Sequence, residues 1–150
     1  MASRAVASFA PLICERGLRV CADWGEGVTL VAPPTFADML VFNLIENAVK
    51  YASVGGRVRI EAVAAASGCP PELRIFNECA PLAIEDVAHL FEPFYRPDSA
   101  RSARTGGNGL GLAICQSIAL SEGWKLTLEQ TTIEAMQGVR AIVKFGEDVA

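Results

Sequence analysis

The chain has 150 residues, of which 51% are hydrophobic and 20% are charged, and its net charge is −4. This composition is typical of one folded domain with a buried core, and it excludes a disordered chain. The longest apolar runs are shorter than the roughly 20 residues of a membrane-spanning helix. No basic arm or tail is present, so no nucleic-acid partner is expected.

The first half of the chain predicts helices alternating with short strands. A helix is predicted over 4–16, and strands over 18–23 and 28–32 are joined by a turn at WGEG. A long helix then runs to about Ala52, with Thr35 as its N-cap and Asp38 three residues on, a variant of the capping box. Strands over 57–64 and 72–78 form an antiparallel hairpin.

The second half predicts a short helix over 84–91, a Gly-rich basic loop over 95–108 and a helix over 110–123. Two final strands, WKLTLEQTT and GVRAIVKF, are joined by a turn around Glu134 to Gln137. Strands that come mostly in hairpins favour a mixed sheet of about five strands with helices on one face, a two-layer α/β sandwich. A doubly wound parallel sheet would need strict βαβ alternation, which is missing.

The long helix carries an unusual polar stripe in the stretch VFNLIENAVKY. Asn43, Asn47 and Lys50 are spaced i, i+4 and i+7 and therefore share one helix face. Two carboxamide oxygens one turn apart are neutral hard ligands that suit Mg²⁺, and a lysine beside them is a point charge for a phosphate oxygen. The alternative interpretation is that buried amides cap a neighbouring strand.

The stretch GGNGLGL leads directly into a helix. Backbone N–H groups of such a run can approach a phosphate closely, and the helix N-terminus favours anions. The glycine spacing matches neither a Walker A loop nor GxGxxG, so a hinge with a helix cap is the alternative. Arg96, Arg101 and Arg104 precede the glycines; they form either a solvated basic loop or a lid that stabilises charge on a transferring phosphoryl group.

Together these stretches resemble the motifs of one family. NLIENAVKYA resembles the N-box of sensor histidine kinases, LFEPFYR resembles their F-box, and TGGNGLGLAI resembles their second glycine box, in the same order. From about Leu18 to Phe145 the chain is similar to the catalytic, ATP-binding domain of these kinases in the GHKL superfamily. The resemblance implies a Bergerat-type α/β sandwich that binds ATP with Mg²⁺ between the long helix and the lid.

The resemblance also implies roles for individual residues. Asn43 and Asn47 would face the metal and the phosphates, and Lys50 and Arg96 are the candidate catalytic residues because both would act on the phosphate chain. The other implied nucleotide-binding residues are Tyr51, Asn77, Tyr95, Gly106, Gly107, Asn108, Gly109, Leu110, Gly111 and Leu112. In the other branches of the superfamily a glutamate base usually stands where this chain has Asn43. An amide cannot take a proton from water, which favours transfer to a protein over rapid hydrolysis.

The chain departs from the family at the first glycine box, where Asp-x-Gly-x-Gly is replaced by Asn77-Glu78-Cys79-Ala80-Pro81. The family aspartate accepts a hydrogen bond from the adenine amino group. Asn77 can accept the same bond without charge assistance, so we expect weaker nucleotide binding. A Cβ at Cys79 is expected to narrow the adenine pocket.

No His-Glu-x-x-Thr-Pro segment is present, and the single histidine, His89, is expected to be a surface or packing residue. Residues 1–17 are expected to be a linker from a preceding dimerisation domain, and 18–150 the ATP-binding domain. The implied partners are a histidine-bearing dimerisation domain of the same kinase and a response regulator. The fragment would be a cytoplasmic monomer, unable to autophosphorylate alone, of a membrane-anchored homodimeric parent. The alternatives are an anti-sigma-type serine kinase and a degenerate nucleotide-sensing or interaction module.

Overall fold

The computed structural model describes residues 1–97 and 109–146. In chain order these contain α1 (Ala2–Ser8), α2 (Ala10–Glu15), β1 (Arg19–Asp23), α3 (Pro34–Tyr51), β2 (Arg57–Val63), β3 (Glu72–Glu78), α4 (Ile84–His89), α5 (Gly111–Glu122), β4 (Lys125–Ile133) and β5 (Met136–Lys144). No helix in the described part of the chain is long and apolar enough to cross a membrane.

The strands form a mixed five-stranded sheet in the order β1-β2-β3-β5-β4. β1 is parallel to β2, and the other neighbouring pairs are antiparallel. The predicted hairpin over 57–64 and 72–78 is β2–β3, and the two final predicted strands are β4–β5. The mixed sheet that the sequence predicts is therefore confirmed.

One face of the sheet forms the core with α3 and α5. Ile60, Ile75 and Ala141 lie directly opposite one another on three adjacent strands, and all three are buried. Helix α3 contributes Leu40 and Ile45, which are fully buried in the same cluster. Burial of each large aliphatic side chain contributes about 1.5–3 kcal/mol, so this layer supplies much of the stability of the fold. The two-layer α/β sandwich is confirmed.

The predicted strand over 28–32 does not form. Those residues belong to the connection between β1 and α3, and Val31 is 96% exposed. Because β1 pairs in parallel with β2, the chain must cross over between them, and α3 provides that crossover. The turn at WGEG forms, but the strand predicted after it is wrong, because no described strand lies beside the apolar run VTLVA.

The N-terminal helix is two short helices rather than one over 4–16. The break falls at Phe9, two residues before Pro11, whose ring and missing N–H disfavour a continuous helix. The ring of Phe9 lies 4.9 Å from that of Phe42 on α3, which holds the break against the domain. The end predicted at residue 16 is confirmed, because Arg16 is the C-cap of α2 and Gly17 follows it with a φ of +61°.

Helix α3 begins one residue before the predicted N-cap. Pro34 is its first residue and Pro33 its N-cap, and none of the described side chains caps this end, so the predicted capping box of Thr35 and Asp38 is wrong. Proline suits the first helical position because its φ is already helical and its missing N–H would have no partner there.

Candidate functional site

A cavity of about 690 Å³ lies between α3, the sheet, and the segments that flank residues 98–108. This volume is within the range of pockets that bind small molecules. One side of the cavity is polar and comes from α3, and the opposite side is formed by inward-facing residues of β3, β4 and β5 together with the loop that follows β3.

The polar stripe of α3 faces this cavity. Asn43, Asn47 and Lys50 line it, while Leu44 and Ala48 on the opposite face of the helix are buried in the core. The i, i+4, i+7 spacing produces this separation because those positions share one face of an α-helix. The stripe is therefore directed into a cavity and does not cap a neighbouring strand.

Asn43 is oriented by its own helix. Its Nδ2 donates a hydrogen bond of 2.8 Å to the carbonyl oxygen of Met39. The other end of the carboxamide, Oδ1, is directed toward the first turn of α5, where a Cβ at Gly111 would lie 3.4 Å from it. A hard oxygen is thus presented at the point where the glycine segment enters the cavity.

Lys50 is paired with a carboxylate that also lines the cavity. Its Nζ lies 2.8 Å from Oε1 of Glu46, one helical turn away, and both side chains are partly exposed. Glu46 was not predicted as a site residue, although an i, i+4 Glu–Lys pair within a polar stripe is a visible signal. The ion pair consequently holds the ammonium at the wall of the cavity, where a bound anion could contact it.

The deep end of the cavity is apolar except for one amide. Val139 on β5 is paired with Asn77 on the neighbouring strand β3, and Leu128 and Leu82 also line this end. Asn77 is 6% exposed and is the one buried polar residue in the described ranges 1–97 and 109–146. An apolar slot with a single buried amide suits a flat, mostly apolar ring that carries polar edge atoms.

The loop after β3 is held by a side chain from β4. The carboxamide of Gln130 accepts a hydrogen bond from the Leu82 N–H and donates one to the Leu82 carbonyl oxygen, each 2.8 Å long. Gln130 was not predicted as a site residue. Its inward orientation could have been predicted, because Leu126 and Leu128 precede it at alternate positions of the same strand.

The two sides of the undescribed segment 98–108 meet beside the cavity. The N–H of Phe94 donates to the carbonyl oxygen of Gly109, and a Cβ at Gly109 would lie 2.8 Å from the backbone of Phe94. Gly109 also has a φ of +74°, so both conformation and space require glycine there. Tyr95, which lines the cavity, donates a hydrogen bond from its hydroxyl to Asp86 on α4.

Residues 33–148 match the family model described as "Histidine kinase-, DNA gyrase B-, and HSP90-like ATPase". The chain belongs to this ATPase family. The match covers all the strands except β1, both helices that pack on the sheet and the whole polar stripe. Domains of this family bind ATP.

Curated relatives of the chain are sensor kinases. It is 32% identical over 146 residues to "Sensor histidine kinase YkoH" of Bacillus subtilis, covering 97% of this chain and 30% of that protein. It is 32% identical over 121 residues to "Sensor protein VanSC" of Enterococcus gallinarum, covering 81% of this chain and 33% of that protein. The chain thus spans about a third of the length of these relatives.

Solved structures support the fold. The "Catalytic domain of histidine kinase ThkA" superposes with a TM-score of 0.78 at 22% identity, covering 97% of this chain and 90% of that one. "Mycobacterial sensor histidine kinase MprB" superposes with a TM-score of 0.77 at 24% identity, covering 99% and 95%. The Bergerat-type sandwich expected from the motifs is therefore the fold of this ATPase-family chain.

Most of the site residues that the motifs suggested line this cavity. They are Asn43, Asn47, Lys50, Tyr51, Asn77, Tyr95, Gly109, Leu110, Gly111 and Leu112. Arg96 is half-buried and is not among the described residues that line the cavity. Gly106, Gly107 and Asn108 lie outside the described residues, as do Arg101 and Arg104.

An arginine from the N-terminal segment also reaches the cavity. Arg16 lines the wall, and its guanidinium donates to the carbonyl oxygen of Ala52 at the end of α3. Its Nε is buried and has no hydrogen-bond partner among residues 1–97 and 109–146. Residues 1–17 were predicted to be a linker, and this contact was not predicted, because only the folded chain brings position 16 beside position 52. The segment also contributes Ala5 to the core.

Proposed function

We propose that this chain is the ATP-binding catalytic domain of a sensor histidine kinase, which delivers the γ-phosphoryl group of ATP to a histidine on a dimerisation domain outside the chain. The observation that carries the proposal is that Asn43, Asn47 and Lys50 face the glycine segment Gly109–Gly111 across one cavity. The apolar end around Asn77 and Val139 accepts the base, and the polar end accepts the phosphates.

The N-terminus of α5 offers donors for phosphate oxygens. In the ranges that the structure describes, no side chain caps this helix, and Gly111 and Leu112 at its start line the cavity. The first N–H groups of a helix have no intrahelical acceptor, and the helix dipole places partial positive charge there. Anion binding at this terminus follows from both effects.

The polar stripe fits a magnesium ion together with the phosphates. Asn43 and Asn47 supply carboxamide oxygens, the hard donors that Mg²⁺ accepts beside water and phosphate, and Oδ1 of Asn43 points into the cavity. Bound Mg²⁺ would neutralise charge on the phosphates during transfer. Lys50 would bind a phosphate oxygen as a point charge while Glu46 limits its movement.

The acceptor histidine and its base lie in another part of the signalling protein in this proposal. His89 is exposed, and its Nδ1 lies 2.6 Å from Oε1 of Glu92, so it is engaged at the surface of the domain. Phosphoryl transfer breaks the bond from Pγ to the bridging oxygen of ADP and forms a P–N bond to the imidazole. The imidazole proton leaves to a base beside the acceptor, since Asn43 cannot accept it.

The domain boundaries and partners follow from the same proposal. Residues 18–150 form the catalytic domain, and 1–17 connect it to the dimerisation domain while contributing Arg16 to the cavity. The phosphorylated histidine passes its phosphoryl group to an aspartate of a response regulator. The parent is a homodimer with this domain in the cytoplasm, anchored at the membrane by other segments.

One observation favours a second function, a nucleotide-sensing module without transfer activity. Cys79 lines the cavity where the family has glycine, and burial raises the pKa of its thiol. The two functions separate when the chain is mixed with ATP and an added histidine-bearing dimerisation domain. A kinase domain yields an acid-labile phosphohistidine, whereas a sensing module binds the nucleotide and yields none.

Calorimetric titration with ADP and with an unhydrolysable ATP analogue, with and without Mg²⁺, tests nucleotide binding. Asn47→Ala is expected to abolish the Mg²⁺-dependent part of binding and to leave the melting temperature unchanged, because Asn47 is only partly buried. Gln116→Ala on α5, which removes a carboxamide that does not line the cavity, is the matched control. No binding at millimolar nucleotide would contradict the proposal, and unchanged affinity in Asn47→Ala would show that the stripe is structural.

A further inference from the structure

Asn77 occupies a position where a buried polar group needs a reason. It lies on a central strand between Val58 and Val139 and faces the cavity with a side chain that is 6% exposed. Burial of a carboxamide costs free energy unless its donors and acceptor find partners. An apolar side chain would fill the same place on the sheet, so the amide indicates a ligand with polar edge atoms.

Cys79 lies two residues along the chain and lines the same cavity. Burial raises the pKa of its thiol, and the Val139 backbone and the Asn77 side chain lie close enough to the sulfur to offset part of that rise. A neutral thiol is both a weak donor and a weak acceptor. It can therefore pair with either end of the Asn77 carboxamide, by accepting from Nδ2 or by donating to Oδ1.

A carboxamide presents one acceptor and one donor group side by side, and turning it end for end exchanges them. The edge of a 6-aminopurine offers an amino donor next to a ring-nitrogen acceptor. The edge of a 6-oxopurine offers the opposite pattern, a carbonyl acceptor next to a ring N–H donor. A carboxylate at the same position could serve the amino edge alone, since it has only acceptors and would face the carbonyl oxygen.

We propose that Asn77, with Cys79 as its reversible partner, lets this cavity bind 6-oxopurine nucleotides as well as 6-aminopurine nucleotides. The inference rests on the proposed nucleotide-binding function and extends the class of nucleotides that the cavity binds. Asn77 is the specificity-determining residue. The chain has Asn77 and Cys79 where the family's first glycine box has Asp and Gly, and the two replacements act together. The neutral thiol can act as a weak acceptor toward one orientation of the amide and as a weak donor toward the other.

The test compares Mg–ADP with Mg–inosine diphosphate on the 150-residue chain, by calorimetry. The two probes differ only at position 6 of the ring and in protonation of the adjacent nitrogen. We expect their dissociation constants to agree within about tenfold, because each forms neutral hydrogen bonds of similar strength. Asn77→Asp is expected to widen the ratio to about 100-fold in favour of ADP, because a desolvated carboxylate opposes the carbonyl oxygen.

Gln116→Glu makes the same change from amide to carboxylate outside the cavity and is expected to keep the wild-type ratio. If neither diphosphate binds, the proposed function fails and the inference fails with it. If ADP binds and inosine diphosphate binds more than tenfold more weakly to the wild type, the inference alone is overturned. An unchanged ratio in a folded Asn77→Asp variant would also overturn it, because the tolerance would then not depend on Asn77. The wild-type ratio decides the matter if that variant does not fold.

Discussion

Replacement of Glu46 by glutamine should strengthen nucleotide binding. Glu46 lines the cavity, and its Oε1 lies 2.8 Å from Nζ of Lys50. A phosphate oxygen in contact with this ammonium would lie about 6 Å from the carboxylate. At that distance, with an effective dielectric constant of about 50 for a half-exposed site, repulsion is about 1 kcal/mol for each phosphate charge.

The lost attraction between Glu46 and Lys50 is smaller than this repulsion. Exposed i, i+4 pairs contribute about 0.3–0.5 kcal/mol, and both side chains here are partly exposed. Glu46→Gln should therefore lower the dissociation constant for ADP about threefold to fivefold without Mg²⁺. The gain should shrink when Mg²⁺ neutralises the phosphates, and again when the ionic strength is raised.

Titration calorimetry with ADP at low and high salt, in EDTA and in Mg²⁺, measures these effects. Glu61→Gln is the matched control, because Glu61 pairs with Arg59 at 2.7 Å and does not line the cavity. An affinity that falls only in Mg²⁺ would refute the reasoning by showing that Glu46 supports the metal. An affinity that falls in EDTA would show that the carboxylate is needed to position Lys50.

Two further predictions concern stability. Burial raises the pKa of Cys115 to about 12 from an ordinary value of 9.0, so the unfolded chain loses this proton first. The free energy of unfolding should therefore fall between about pH 9 and about pH 12, by up to about 1.4 kcal/mol per pH unit. Chemical denaturation of Cys115→Val should show that this contribution to the slope is lost. An unchanged slope in the variant would contradict the assignment of this pH dependence to Cys115. A Cβ at Gly138 would lie 2.1 Å from the carbonyl oxygen of Asn77 and 2.7 Å from the ring of Phe76. Gly138→Ala should lower the unfolding free energy by about 3 kcal/mol, seen as a drop in melting temperature of about 6–12 °C, whereas a drop below about 2 °C would show that the strands separate easily.

Local periodicity predicted the parts of the molecule that depend on neighbours in sequence. The stripe of Asn43, Asn47 and Lys50 follows from helical spacing alone, and the β2–β3 and β4–β5 hairpins follow from alternation and short connections. The apolar positions Leu44 and Ala48 of α3 are buried in the core, which turns the stripe toward the cavity between the helix and the sheet. The location of the cavity could therefore be predicted together with its polar wall.

Contacts between distant segments could not be predicted in the same way. β1 pairs in parallel with β2 across the long α3 crossover, and nothing within 18–32 distinguishes this from a hairpin. The same holds for Arg16 beside Ala52 and for Gln130 beside Leu82, whose partners are 36 and 48 residues away. A sequence pattern indicates that a polar group is present at such positions, while the partner is known only once the chain is folded.

The loop after β3 shows why the missing glycines do not close the site. None of residues 79–82 has a positive φ, so this backbone can be formed by residues other than glycine. The two hydrogen bonds from Gln130 to Leu82 fix the course of the loop through a side chain. Cys79 is therefore accommodated in the wall of a cavity that still measures about 690 Å³, and its Cβ does not fill the pocket. Weaker nucleotide binding, if it is measured, should arise from the uncharged amide of Asn77 and should be reversed for adenine nucleotides by Asn77→Asp.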